Sequence, residues 1–214
     1  MTPMKEDYLK MIFELGGVSG KVSNKQLSLS LDIAAASVTE MINKLVEERL
    51  VSHTPYAGIS LTKSGRKAAE ELVRKHRLWE CFLFEKLGYT LATVHQEAEK
   101  LEHALTPEMA KRLSAMLGEP RYCPHGGVIP DANGHYLQQS RVTLGTLDVG
   151  QSGHIERVID EVSLIDYTVK IDLRLDDEFT VTAKTLDAVI IKLARTGKEL
   201  AVDADRADHI FVEL

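Results

Sequence analysis

Residues 120–140 hold Pro120, Pro124, Gly126, Gly127, Pro130, Asp131, Asn133 and Gly134, and on either side of this turn-rich tract the apolar residues recur with different periods. Upstream the spacing is helical. Downstream, short runs alternate every second residue. The chain therefore joins a helical half to a β half. Its 214 residues are enough for one large domain or for two to three small ones with their own cores.

The upstream half opens with Thr2-Pro3, a cap residue followed by proline at the first helical position. Tyr8, Leu9, Ile12, Phe13 and Leu15 follow at helical spacing until Gly16-Gly17. Ser23 and Gln26 have capping-box spacing and open a short helix carrying Leu27 and Leu31. After a break at Asp32-Ile33, a longer helix is expected from about Ala35 to Glu48, with Val38, Ile42 and Leu45 inward. Residues 50–54 and 59–62 flank Pro55-Tyr56-Ala57-Gly58 and read as a hairpin. Helix, helix, turn, helix and two-stranded wing is the winged helix-turn-helix order.

A long helix is expected from Thr62 through Trp79 to Leu87, ended by Gly88. Thr90 or Thr93 caps the next, and Thr106-Pro107-Glu108 starts another that ends at Gly118. Leu78, Phe82, Leu83, Leu101, Leu105, Leu113, Met116 and Leu117 make these helices apolar enough for an interface between subunits as well as a core. Beyond the linker, Val142-Leu144-Leu147, His154-Ile155-Val158, Phe179-Val181, Val189-Ile191-Leu193 and Ile210-Phe211-Val212 read as strands. With one helix near residues 164–172, they suggest a small β-barrel. The expected class is α+β, divided into a winged helix-turn-helix over 1–72, a helical dimerisation and metal-binding unit with linker over 73–140, and the β unit over 141–214.

The formal net charge is −6, which argues against a nucleic-acid binder until it is divided along the chain. Residues 1–75 carry +2, residues 76–140 carry −2 and residues 141–214 carry −6. A mildly basic first third can bind DNA, weakly as a monomer because few phosphates are neutralised. With no apolar run of spanning length and no export signal after Met1, the expectation is a cytoplasmic protein. Two cysteines, Cys81 and Cys123, are too few for a disulfide scaffold.

The exposed positions near the start of the candidate recognition helix, Ala36, Ser37, Thr39, Glu40 and Asn43, are small or hydrogen-bonding, as entry into a major groove requires. Lys25, Gln26, Lys44 and the wing from His53 to Tyr56 are candidates for backbone phosphates. The competing reading is a protein-binding winged helix.

Glu99, Glu102 and His103 stand at i, i+3 and i+4, so one helix face gathers two carboxylates and an imidazole. With no basic partner assigned to them, they repel unless a cation sits between them, and oxygen-rich ligation suits manganese or iron. A solvated acidic face is the plainer alternative. Asp7 on the first helix is placed to approach this group. A second group comprises His76 and Glu80, one turn apart, His95, and the Cys123-Pro124-His125 chelate, whose thiolate suits zinc or cadmium. Its plainer reading is a loop cysteine beside a surface histidine. Cys81 is expected in the core.

Taken together, Lys5-Glu6-Asp7-Tyr8-Leu9-Lys10, the winged helix, His76/Glu80, His95/Glu99/Glu102/His103 and Cys123-Pro124-His125-Gly126 with Ile129-Pro130 resemble the diphtheria toxin repressor family over essentially the whole chain. The resemblance implies a metal-dependent transcriptional repressor that binds double-stranded operator DNA as a homodimer. It also implies that the third unit is SH3-like, of the FeoA type. In the family's iron-responsive branch a methionine and a cysteine stand where this chain has Asp7 and Glu99. The two carboxylates therefore look like the manganese-responsive branch and the three-domain streptococcal manganese regulators. Carried over, the primary site is Asp7, Glu99, Glu102 and His103. A second site uses Glu80, Cys123 and His125, with His76 and His95 nearby and Asp160 expected from the third unit. Mn(II) is the expected cofactor, with Zn(II), Cd(II) or Fe(II) as other occupants, and neither a membrane nor a small-molecule substrate is expected. The alternatives are a metallohydrolase, which would lack any HExxH motif, nucleophile elbow or phosphate loop here, and a metal-stabilised protein-interaction module.

Overall fold

The computed structural model describes residues 1–214 except 19, 55–57, 133, 135, 136, 138 and 160. The first unit contains α1 (Pro3–Glu14), α2 (Asn24–Ser30), α3 (Ala35–Glu47), β1 (Val51–Thr54) and β2 (Gly58–Leu61). Pro3 stands in the first turn of α1, and α2 opens on the Ser23/Gln26 capping box. Tyr8, Leu9, Ile12, Leu27, Val38, Ile42, Leu45 and Ile59 are each no more than 1% exposed and form one core. Burying each large aliphatic side chain contributes about 1.5–3 kcal/mol, so the amphipathic faces of three short helices are what hold this unit together. The strands pair antiparallel, from Val51 opposite Leu61 to Thr54 opposite Gly58. The expected turn at Pro55, Tyr56 and Ala57 lies outside the described residues.

Helix α4 (Lys63–Leu87) runs unbroken across the expected boundary at residue 72. Its first half contributes Ala69 and Val73 to the core of the first unit, while Leu78 and Cys81 belong to a second core with Leu105, Leu113, Cys123 and Ile129. Thr62 caps it by accepting from the Gly65 amide, and Gly88 ends it in the left-handed region at φ 72°. Gly65 permits the start against the wing, since a Cβ there would lie 1.8 Å from the Leu50 carbonyl oxygen. Helices α5 (Leu91–Glu102) and α6 (Pro107–Met116) follow, capped by Thr90 with Thr93 and by Thr106.

The third unit is a five-stranded antiparallel sheet in the order β6-β5-β4-β3-β7. Its strands are β3 (Ser152–Val158), β4 (Glu178–Lys184), β5 (Ala188–Leu193), β6 (Glu199–Asp203) and β7 (Ile210–Glu213), with α7 (Val162–Lys170) after β3 and a short α8 (Ala204–Ala207) before β7. Bulges between Ile155 and Arg157 and between Val181 and Ala183 bend it around Phe179, Val181, Ile191, Val202 and Ile210. Two expectations need correction. Val142-Leu144-Leu147 is not a strand but surrounds a 3₁₀ turn over Leu144–Thr146, because the three-residue step from 144 to 147 breaks the two-residue period. Strand β6 was not anticipated. It is an edge strand with only Leu200 and Val202 turned toward apolar neighbours.

Candidate metal centre

Asp7, Lys10 and Glu14 recur at three- and four-residue steps, so they form a polar stripe along α1. That stripe faces α4 and α5. Asp7 Oδ1 lies 3.1 Å from His103 Nε2, and His103 Nδ1 donates to Glu6 at 2.6 Å. Ligand atoms of Asp7, Glu102 and His103 all lie within 4.8 Å of one another. Glu102 is completely buried, and His103 caps the C-terminus of α5. Glu99 is not in the same group: it joins Glu102 and His76 instead. The four expected primary positions thus form two overlapping clusters that share Glu102.

The expectation of carboxylates without a basic partner does not hold. Lys10 is 7% exposed, and its ammonium donates to Glu99 Oε1 at 2.5 Å and to the two Glu102 oxygens at 2.8 and 2.9 Å. Burial alone would lower the Lys10 pKa, but Glu102 and Glu99 outweigh it and raise it. Burial, opposed by His95 and Lys10, would raise Glu99, and the net shift is downward. Sequence reasoning passed over this lysine, although its place three residues after Asp7 on the same stripe was available as a signal. It passed over Glu6 as well.

Behind this group lies a second one, wholly out of water. Glu80 is completely buried, with His76, His95, His125 and Cys123 at 1–5% exposure. His76 Nδ1 meets the Glu102 carboxylate, and its Nε2 lies 3.1 Å from both Glu80 Oε1 and His95 Nδ1; carboxylates at both nitrogens favour the imidazolium, the form with a proton on each. Although burial and Lys10 oppose it, Glu80 and Glu102 raise its pKa to about 10. His95 Nδ1 is 3.4 Å and His125 Nδ1 is 3.1 Å from Glu80 Oε1. Burial would raise Glu80, yet His125 and His76 hold its carboxyl well below the usual range. Two ligand triads result, His76/Glu80/His95 and Glu80/Cys123/His125, each within 4.8 Å. The shared element is Glu80, on the face of α4 that α5 and the 123–129 loop cover. Cys81 is core, its thiol 3.5 Å from the Tyr122 carbonyl oxygen and pushed upward in pKa by burial.

The fit of these groups to a cation rests on two oxygens. Asp7 Oδ1 in the first cluster and Glu80 Oε2 in the second are buried and accept no hydrogen bond. Leaving a buried polar atom unsatisfied costs about 1–3 kcal/mol, more when it is charged. One such oxygen stands in each cluster, among nitrogen, oxygen and sulfur atoms that ligate divalent metals. Asp160 lies outside the described residues. Nearby, the Val158 amide donates to the His125 carbonyl at 3.3 Å, so β3 reaches the second cluster two residues before that position. His125 also lines a cleft of about 410 Å³ with Leu91, Ile155, Val158 and Thr168, where α5 meets the third unit.

The candidate DNA face lies apart from this. Ala36, Ser37, Thr39, Glu40, Asn43 and Lys44 are exposed on α3, and Lys25 and Gln26 are exposed on α2. Some are already engaged: Gln26 Oε1 accepts from the Ser23 amide, Thr39 accepts from Asn24, and Glu40 pairs with Lys44 at 2.7 Å. Phe84, Leu87, Met109, Met116 and Tyr122 form a separate set of large apolar groups at 41–57% exposure.

Comparison with known proteins covers nearly all of the chain. Residues 1–59 match the iron dependent repressor N-terminal DNA binding domain. Residues 62–131 match the iron dependent repressor metal binding and dimerisation domain, and residues 142–214 match the FeoA domain. The HTH-type transcriptional regulator MntR of Oceanobacillus iheyensis is 32% identical over 116 residues, which is 54% of this chain and 78% of that protein. The manganese regulator SloR is 38% identical, covers 100% of this chain and 99% of its own, and superposes with a TM-score of 0.87. ScaR with bound Zn2+ is 34% identical, covers 98% of both chains and has a TM-score of 0.84; a Cd2+-bound form also matches.

Proposed function

The chain belongs to the iron-dependent repressor family, and on that premise we propose that it is a manganese-dependent transcriptional repressor whose ligands are Asp7, Glu99, Glu102 and His103. The observation that carries the reading is the convergence of Asp7 from α1 with Glu102 and His103 from the end of α5. One side of that cluster belongs to the unit carrying the recognition helix, the other to the unit carrying the apolar interface. The second group, Glu80, Cys123 and His125 with His76 and His95, holds a further cation, Asp160 being its expected partner from the third unit. Its thiolate admits zinc or cadmium, as bound in ScaR.

Asp7, Glu102 and His103 would hold the cation, whose positive charge would offset carboxylate repulsion between α1 and α5. Asp7 then fixes the orientation of α1, and with it α3, whose Ala36, Ser37, Thr39, Glu40 and Asn43 read base edges while Lys25, Gln26 and Lys44 meet phosphates. Phe84, Leu87, Met109 and Met116 pair two copies, so that two recognition helices face a palindromic operator at one spacing. Because the same geometry serves metal and DNA, each strengthens the other by roughly 1–3 kcal/mol.

The protein acts as a regulator rather than an enzyme, in the cytoplasm where operators lie. Among the described residues no helix is long and apolar enough to cross a membrane. The test is an electrophoretic shift of operator DNA in manganese and in chelator. Affinity that rises with manganese supports the reading, affinity indifferent to chelator ends it, and metal-dependent hydrolysis would favour the enzyme.

A further inference from the structure

We propose that Lys10 is a tethered cation that competes with the metal for Glu99 and Glu102, holding α1 against α5 in the metal-free protein and setting the metal concentration at which the first cluster fills. The inference rests on the function proposed above and adds a residue to it. Three carboxylate oxygens from two of the proposed ligands lie 2.5–2.9 Å from the Lys10 ammonium, which is itself almost completely buried. This bridge joins the same two helices that Asp7 and His103 join across the first cluster.

An ammonium and a divalent ion cannot share these oxygens without repulsion, and each oxygen has a limited number of lone pairs to give. The lysine must therefore give up at least part of its hold on Glu99 and Glu102 when the metal enters. Its four-carbon stem makes that retreat possible: it is a flexible arm, and the Glu99 side chain it holds is 37% exposed. Glu102 cannot retreat in the same way, because it is completely buried and also accepts from His76. A site closed by its own lysine nine-tenths of the time would show an apparent metal affinity about tenfold weaker than its intrinsic one. The charge of Lys10 also explains how two carboxylates stay close together in the absence of metal, and why α1 keeps its place there. A neutral side chain would leave Glu99 and Glu102 to the imidazoles of His95 and His76, with their mutual repulsion less well offset.

The experiment is manganese titration of the full-length protein, followed by electron paramagnetic resonance of the free ion, for the wild type, Lys10→Met, Lys10→Gln and Lys10→Arg. Melting temperatures are measured alongside, in chelator and in saturating manganese. Lys10→Met and Lys10→Gln are expected to bind manganese about tenfold more tightly than the wild type at the first cluster. They are also expected to melt below it in chelator and to gain more on manganese addition, whereas Lys10→Arg stays near the wild type in affinity. Unchanged or weaker affinity in both neutral variants overturns the competition, as does a Lys10→Arg protein that binds as tightly as they do. Neutral variants that melt at or above the wild type in chelator overturn the metal-free bridge. A wild type that binds no manganese would instead remove the proposed function on which this inference rests.

Discussion

The Arg77 guanidinium on α4 donates to the Glu14 carboxylate on α1, and the two side chains are only 2% and 7% exposed. Arg77 also donates to the Val128 carbonyl, and it lies so close to Gly127 that a Cβ there would come within 2.7 Å of the guanidinium carbon. One buried cation thus ties the DNA-binding unit to the loop that carries Cys123 and His125. Removing Glu14 takes one carboxylate from a buried cation that keeps other partners, the Val128 carbonyl among them, and should cost about 1–3 kcal/mol. Urea unfolding of Glu14→Ala should show a loss of that order. A cost below about 1 kcal/mol, the level of an exposed pair, would mean that the pair is solvated in solution.

Exchanging the hard carboxylates of the first cluster for softer ligands should change which metal activates the protein. Asp7→Met together with Glu99→Cys is expected to weaken manganese-dependent operator binding about tenfold and to favour iron, since thioether and thiolate suit later and softer metals. Operator binding across a series of divalent ions reads this directly. If the order of metals is unchanged, these residues are not the discriminating ligands.

Removal of metal should expose a dependence on pH that belongs to His76. Its pKa is raised from 6.5 to about 10 in the folded chain, where burial is outweighed by Glu80 and Glu102. The stabilisation from that imidazolium is therefore complete below pH 6.5 and is lost as pH rises toward 10. In excess chelator, the melting temperature should fall across that window, and the His76→Gln protein should lack this component of the slope. An equal slope in both proteins would contradict the paired imidazolium.

The DNA-facing side chains can be sorted by salt. Lys25→Ala should weaken binding to all sequences alike and reduce the salt slope by about 1 for each phosphate that is no longer neutralised. Asn43→Ala, on the exposed face of α3, should cost about 1–3 kcal/mol at its cognate base pair and relax discrimination there. Competition binding with single-base operator variants separates the two. If Asn43→Ala weakens every sequence equally, that side chain reads phosphate rather than base.

The manner of each element's stabilisation explains what could be read in advance. Helices α2, α4, α5 and α6 begin where Ser23, Thr62, Thr90 and Thr106 place a cap, because capping is settled within four residues of chain. Ligand types at one-turn spacing were equally local, which is why Glu80, Glu99, Glu102 and His103 could be singled out. The missed strand β6 had no such local signal: its stability comes from pairing with β5, from Ala188 opposite Asp203 to Lys192 opposite Glu199.

The amino-acid order alone determined the helical and β halves, the winged-helix order and the donor chemistry, since each depends on residues a few positions apart. Only the tertiary structure decided how those donors are grouped: Glu102 shared between two clusters, Glu80 between two triads, and Lys10 set against acids some ninety positions away. Electrostatic energy depends on distance through space and on exclusion of water, and neither is written in the local sequence until packing brings α1 onto α5.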